Sequence, residues 1–398
     1  MIKLGYEQKV KDIFVPNGTP PEVLSIMKSI DNPSDVFKKG CFIEQLGLQT
    51  PVYPQIHILD SYDYKNIGYD EALVNDIKDE FYYYPIAPFG TANGFIGVSK
   101  KNQINYNFTN YISQKVLTDI QNGSCKILID KVSEGHPFCK DWIEQLHELL
   151  YAKNIPKNKV IYATSNLRFL DDYKKRHDDR IEIIQSNHNE LEILLTYDFV
   201  GGWKNKTNVK RSKHFISLNH SDKIHRTSLV NNLLKNNHSD IGHFSYVSKG
   251  IFLDIEDYGD REGDNDVLTK WFKGLNELYA DSYWNFTTET LFEEPAIRFS
   301  EKIFKPILYE QPFLLYGTPH MLKKFRNLGY KTFSKWIDES YDDELNHAKR
   351  LVKLNEQVNY ICSLELSEIH EMYIEMKDIL NHNYNHLFAL KDRIVLPL

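Results

Sequence analysis

The chain has 398 residues, of which 41% are apolar and 26% charged, and it carries a net charge of −7. That length is more than one core holds comfortably, so two domains are expected, with the composition of an ordinary globular protein. The acidic balance argues against a whole-chain electrostatic grip on nucleic acid, although a local basic groove stays open.

Residues 1 to about 110 are punctuated by Pro16, Pro20, Pro21, Pro51, Pro54, Pro85 and Pro88. Short apolar runs such as Ile56-His57-Ile58-Leu59 between them predict several short strands with long loops. The start, Met1-Ile2-Lys3-Leu4-Gly5-Tyr6, has no signal-peptide core, and no apolar run reaches membrane-spanning length. A cytoplasmic protein is expected, with peripheral membrane contact at most. Cys41, Cys125, Cys139 and Cys362 form no C-x-x-C pair and read as reduced, mostly buried thiols.

From residue 111 the pattern becomes regular. A helix over Tyr111 to Ile120 stops at Asn122-Gly123. Cys125 to Asp130 reads as a buried strand, and Cys139 to Lys153 as an amphipathic helix with Trp142, Leu146, Leu149 and Leu150 on one face. Strands at Val160–Ala163 and Ile181–Ile184 flank a polar helix. Alternation of this kind predicts parallel β-α-β units.

Near residue 200 the texture changes. Gly201-Gly202-Trp203 opens a basic stretch with Lys204, Lys206, Lys210, Arg211 and Lys213. This is read as an interdomain linker dividing residues 1–205 from 206–398, or alternatively as a basic lip that draws in an anion. The alternation then restarts. Strands are predicted at His214–Leu218, His243–Val247, Tyr283–Thr287 and around Phe313. Helices are predicted over Arg226–Leu234, from Glu301, and over Met321–Leu328. An acidic loop spans Asp254 to Asp266. Two helical stripes close the chain, one through Leu351, Leu354, Val358 and Ile361, the other through Ile369, Met372, Tyr373, Met376 and Leu380. The whole is an α/β protein of two similar halves.

Ligands of open parallel sheets bind beyond the carboxyl ends of the strands. Arg226 opens a helix just after the strand ending at Leu218-Asn219, a phosphate-facing address. Glu289 follows a strand, where a carboxylate can orient a sugar or ribose hydroxyl. Ser300 suits a helix cap, Glu301 the positive end of that helix, and Lys302 and Lys305 phosphate. Each has a plainer reading as a solvated or capping residue, and only the combination points to a nucleotide-sugar site.

These segments resemble a family. Phe215-Ile216-Ser217-Leu218-Asn219 with Arg226, Leu229 and Leu233 looks like the strand–Asn–Arg–helix block of the nucleotide-sugar fucosyltransferases. Phe286 through Glu289, then Ser300-Glu301-Lys302-Ile303, looks like their second donor-binding block. Thr290-Leu291 stands where that family has Asn-Ser. The segment from Gly329-Tyr330-Lys331-Thr332-Phe333 to Asp338–Asp342 resembles instead a motif of glycosyltransferase-like proteins of phages and bacteria. The resemblance covers residues 214 to 320 and reaches as far as glycosyltransferase, not as far as fucose.

The resemblance implies a GT-B fold, two Rossmann-like domains facing across a cleft, with the donor held by the carboxyl-terminal one. It implies that Arg226 and Lys302 contact a diphosphate, Glu301 the ribose, and Glu289 the nucleotide or sugar. It also implies an inverting, metal-independent reaction with no cofactor beyond the nucleoside-diphosphate sugar, and a glycan or other hydroxyl acceptor. Inversion needs a base on the acceptor side. Glu134 is the first candidate, followed by His136 and Asp130. Two other readings remain: a glycosyltransferase acting on hydroxylated bases of phage-like DNA, and a non-catalytic sugar- or nucleotide-binding scaffold. Asp264-Asn265-Asp266 and the pairs His214/His220 and His382/His386 have metal-like spacing but read as ordinary polar residues.

Overall fold

A computed structural model describes residues 1–6, 65, 67–86, 96–98, 105–107, 112–132, 140–186, 188–199, 210–253, 275–394, 396 and 398. The chain divides into two units, Met1–His188 with Val395–Leu398, and Asn189–Ile394.

The first unit contains β1 (Lys3–Tyr6), β2 (Asp70–Leu73), β3 (Tyr82–Ile86), a small antiparallel pair β4 (Ile96–Val98) and β5 (Asn105–Asn107), then β6 (Cys125–Lys131), β7 (Val160–Thr164) and β8 (Glu182–Gln185). Apart from that pair they form one parallel sheet in the order β2-β1-β3-β6-β7-β8. Crossovers are made by α1 (Gln114–Asn122), α2 (Lys140–Ala152) and α3 (Phe169–Lys174). The reason is legible in β6: Ile127, Leu128 and Ile129 are all fully buried, as a strand covered on both faces requires. Val116 and Ile120 of α1 and Leu146, Leu149 and Leu150 of α2 pack into the same core. Gly123 ends α1 at φ 90°, a conformation costly for any residue with a Cβ.

In the second unit α4 (His188–Phe199) enters from residue 189, a helix the sequence pattern did not announce. It is followed by β9 (Lys213–Asn219), α5 (Ile224–Lys235), β10 (Gly242–Tyr246), α6 (Asn276–Ala280), β11 (Ser282–Thr288), α7 (Glu301–Leu308), β12 (Phe313–Tyr316) and α8 (Met321–Asn327). The four strands make a parallel sheet in the order β10-β9-β11-β12. Helices α9 (His347–Ser363), α10 (Leu366–Glu375), α11 (Lys377–Phe388) and α12 (Leu390–Arg393) follow. Leu354, Val358, Ile361, Ile369, Met376 and Leu380 are buried, as their helical spacing predicts. Each unit is thus a Rossmann-like α/β layer structure.

The strand order has a consequence for ligands. From β9 the chain steps outward to β10, then returns to β11 on the opposite side of β9. The connections leaving β9 and β11 therefore diverge, and a crevice is left beyond the carboxyl ends of those two strands.

The basic stretch divides. Residues 201–209, with Lys204 and Lys206, lie outside the described residues. Arg211 is not part of a basic lip: it is 4% exposed, and its guanidinium donates to the carbonyl of Ser282 (2.5 Å) and to the Tyr373 hydroxyl (2.7 Å) while lying over the Tyr373 ring. Burial among aromatic rings and carbonyl oxygens has taken this charge out of solvent. Cys125 and Cys362 are buried thiols, and Cys41 and Cys139 lie outside the described residues.

Candidate donor-binding site

A cavity of about 280 Å³ opens at the β9/β11 reversal of the second unit. Leu218 and Asn219 at the end of β9, Ser245 of β10, and Thr287 and Thr288 of β11 form its strand-end wall. Arg226 enters from α5, and Glu301, Lys302 and Lys305 from α7. Its apolar side includes Val247, Leu253, Tyr279 and Phe286. Five of the seven residues expected from sequence to bind a donor therefore share one cavity: Asn219, Arg226, Glu301, Lys302 and Lys305. The other two, Glu289 and Ser300, do not line it.

Asn219 ties the strand ends together. Its side-chain oxygen accepts from the Thr288 hydroxyl (2.7 Å), its amide nitrogen donates to Ser217 Oγ (3.1 Å), and its backbone N–H reaches Ser245 Oγ (3.3 Å). β9, β10 and β11 are thus cross-braced where the cavity begins.

Arg226 sits in the first turn of α5 and is 4% exposed. Its Nη1 donates to Ser221 Oγ (2.5 Å) and to the Ser221 carbonyl (3.3 Å), and its Nη2 to the Glu289 carbonyl (3.3 Å). Nε is buried with no hydrogen-bond partner among the described residues. Burial works against the charge and lowers its pKa, while Glu289 and Glu301 support it.

Ser300 is the cap of α7: its hydroxyl accepts from the Lys302 N–H (3.3 Å). Glu289 stands behind that cap. Its carboxylate accepts from the Ser300 hydroxyl (2.5 Å), the Ser300 N–H (3.1 Å) and the Thr290 N–H (3.3 Å). At 1% exposure, burial pushes the Glu289 pKa up, against the pull of Lys302 and the bonds from Ser300. The side chain fixes where α7 begins.

On α7, Glu301 and Lys302 form an ion pair at 2.6 Å. Burial works to raise the Glu301 pKa, but Lys302 and Lys305 outweigh it and hold the acid at about 2. Burial lowers Lys305 to about 8, although Glu301 opposes the shift. Among the residues that line the cavity, three cationic side chains thus meet one ionised carboxylate. Such a site can offer cationic charge to a dianion and a carboxylate to a vicinal diol.

Of the candidate bases, Glu134 and His136 lie outside the described residues. Asp130, at the end of β6, is 5% exposed and accepts the Val132 N–H (2.9 Å), a turn-closing role. The segment 329–342 braces a helix. The Asp342 carboxylate receives the N–H groups of Leu322 and Lys323 (2.9 Å each) at the start of α8, and the Glu339 carboxylate receives Thr332 Oγ1 (2.8 Å) and the Phe333 N–H (2.7 Å). His382 and His386 bond the carbonyls of Gly329 and Leu328 beyond the end of α8 (2.8 Å each), and His214 bonds the Leu364 carbonyl (2.9 Å). Asp264-Asn265-Asp266 lies outside the described residues, among which no three His, Cys, Asp or Glu side chains cluster as metal ligands. No described helix is long and apolar enough to cross a membrane.

No protein-family model and no curated protein matches the chain. Among solved structures it is similar to the crystal structure of an α1,3-fucosyltransferase, at 12% identity over 80% of this chain and 82% of that one, with a TM-score of 0.33.

Sequence reasoning missed the scaffolding of this site. His225, Phe292 and Arg350 give no motif signal, because an aromatic or basic residue in a helix or loop reads as core or surface.

Proposed function

We propose that the second unit binds a nucleoside-diphosphate sugar, and that the protein is a GT-B-type inverting glycosyltransferase moving that sugar to a hydroxyl acceptor. The observation that carries this reading is the convergence of Arg226, Lys302, Lys305 and Glu301 on one cavity at the strand-order reversal of a parallel sheet. The sequence resemblance of residues 214–320 to nucleotide-sugar fucosyltransferases supports it from an independent direction.

In this reading Arg226 and Lys302 hold the diphosphate and Lys305 lies deeper with it. Glu301, ionised, takes the ribose hydroxyls. As the bond from the anomeric carbon to phosphate breaks, the departing diphosphate gains negative charge. Fixed cations in a poorly solvated pocket stabilise that charge with little reorganisation. No metal and no further cofactor is invoked. The acceptor hydroxyl loses its proton to a carboxylate, for which Glu134 is proposed.

The test is a thermal-shift screen with UDP-, GDP-, CMP- and dTDP-sugars, repeated on Arg226→Met and Glu301→Ala. One nucleotide class should stabilise the wild type, by about 2.7 kcal/mol at a hundred times its Kd, and each variant markedly less. A folded Arg226→Met that is stabilised as the wild type is would sink the reading. Glu134→Gln should bind the donor normally and transfer nothing.

A further inference from the structure

Behind Arg226 lies a buried chain of contacts that never reaches the cavity. The Glu289 carbonyl accepts from Arg226 Nη2 (3.3 Å) and also from His225 Nε2 (2.9 Å). The His225 ring stacks on Phe292 with centroids 4.9 Å apart and planes 15° from parallel. The Arg350 guanidinium, from α9, lies over the same Phe292 ring at 4.2 Å. Arg350 Nη2 donates to the Phe292 carbonyl (2.5 Å) and Nη1 to the Glu344 carbonyl (2.8 Å). His225 and Arg350 are each 1% exposed and Phe292 is 2% exposed.

We infer that Arg350 is a positioning residue for the donor diphosphate: it fixes Phe292, Phe292 fixes the His225 ring, and His225 fixes the carbonyl that aims Arg226. This rests on the donor reading above. The physical reason is the loop between β11 and α7. It runs from Glu289 to Ser300 and meets β12 at its start, where the Glu289 N–H reaches the Tyr316 carbonyl (2.9 Å), so the Glu289 and Phe292 carbonyls take their donors from side chains. His225 supplies one at Glu289 and Arg350 another at Phe292. A guanidinium stacked over a ring and bonded to that residue's own carbonyl holds both the side chain and the backbone of Phe292. The neutral imidazole suits its place, because burial holds His225 far below the ordinary imidazole range and leaves Nε2–H free to donate to a carbonyl. Arg226 has one donor on that carbonyl and two on Ser221, so losing the carbonyl's position leaves it pivoting about one end.

The test is a double-mutant cycle on diphosphate affinity, with GDP, UDP and dTDP as probes and the matching nucleosides as controls. Arg350→Met, which keeps length and removes the donors, should weaken the diphosphate that binds the wild type by roughly tenfold, the scale of one hydrogen bond involving a charged group. Affinity for the nucleoside should stay within about twofold, since a positioned guanidinium matters only to phosphate. In an Arg226→Met background, Arg350→Met should cost nothing more, because the two act through one contact. Arg350→Lys should restore part of the loss. Should Arg350→Met fail to fold, His225→Asn is predicted to give the same diphosphate-specific, non-additive loss. Additive losses, or equal weakening of nucleoside and diphosphate, would reduce these residues to general packing and overturn the inference while leaving the donor reading intact. A wild type that binds none of the three diphosphates would overturn both.

Discussion

The buried carboxylate of Glu289 holds Ser300 by two bonds, from its hydroxyl at 2.5 Å and from its N–H at 3.1 Å. Ser300 in turn caps α7, the helix that presents Glu301, Lys302 and Lys305 to the cavity. One acid that never reaches the cavity therefore sets the register of three side chains that do.

Glu289→Gln replaces one acceptor oxygen by an NH2 group facing donors. It should destabilise the protein by about 1–3 kcal/mol, the cost of leaving buried polar groups unsatisfied. Ser300→Ala, which loses the cap, should cost about 1 kcal/mol. Urea unfolding measures both. A Glu289→Gln variant as stable as the wild type would show that the carboxylate is not structural.

Lys305 gives the site a pH dependence. Its folded pKa of about 8 lies below the ordinary 10.5. Between those values the unfolded chain binds more protons, so this group adds stability to the unliganded protein as pH rises from about 8 towards 10.5. Diphosphate affinity moves the other way and should weaken as pH rises through about 8, when the ammonium is lost. Lys305→Arg should flatten that loss. Lys305→Met should stabilise the unliganded protein and weaken the diphosphate, with calorimetry from pH 6.5 to 9.5 reading the affinity.

Acid should weaken the first unit at a known point. The Tyr173 hydroxyl accepts the Ile181 N–H (3.0 Å) and shares a hydrogen bond with His147 Nε2 (2.7 Å). Burial, aided by Lys157 and His177, lowers the His147 pKa from 6.5 to about 4. As pH falls from 6.5 towards 4, the unfolded chain takes up the proton first, and stability from this group is lost. His147→Phe should remove part of the acid sensitivity. Urea midpoints at pH 7.5 and 5.0 decide it, with an unchanged difference between the two pH values counting against the contact.

Asp342 separates structure from function in the segment 329–342. Asp342→Ala leaves the Leu322 and Lys323 N–H groups without their caps and should cost about 2 kcal/mol, at the upper end for such a loss. Nucleotide affinity should be unchanged, because Asp342 lies outside the cavity wall. A folded variant with weakened nucleotide binding would assign this segment a role in the site.

The strands at 125, 160, 214 and 283 and the helix beginning at Glu301 could be read from apolar runs, caps and stops, and their bounds differ from the structure by a residue or two. Five residues that line the cavity were legible because a strand end, a helix-start arginine and a capped helix mark the carboxyl ends of a parallel sheet. The rest was not. Arg211 lies in a run of lysines and looks solvent-exposed, yet it is packed among tyrosines. Glu289 looks like a ligand-facing acid, yet its oxygens are taken by Ser300 and Thr290. Arg350 lies on a helix with a core stripe, and nothing local ties it to Phe292, 58 residues earlier.

Hydrophobic period and capping chemistry act over a few residues, so the α/β alternation and the position of the charged helix start follow from local sequence alone. The order β10-β9-β11-β12 is set by packing across distant segments. Only that order decided that α5 and α7 would face one another, which charges would share a cavity, and which would be buried to hold the others in place.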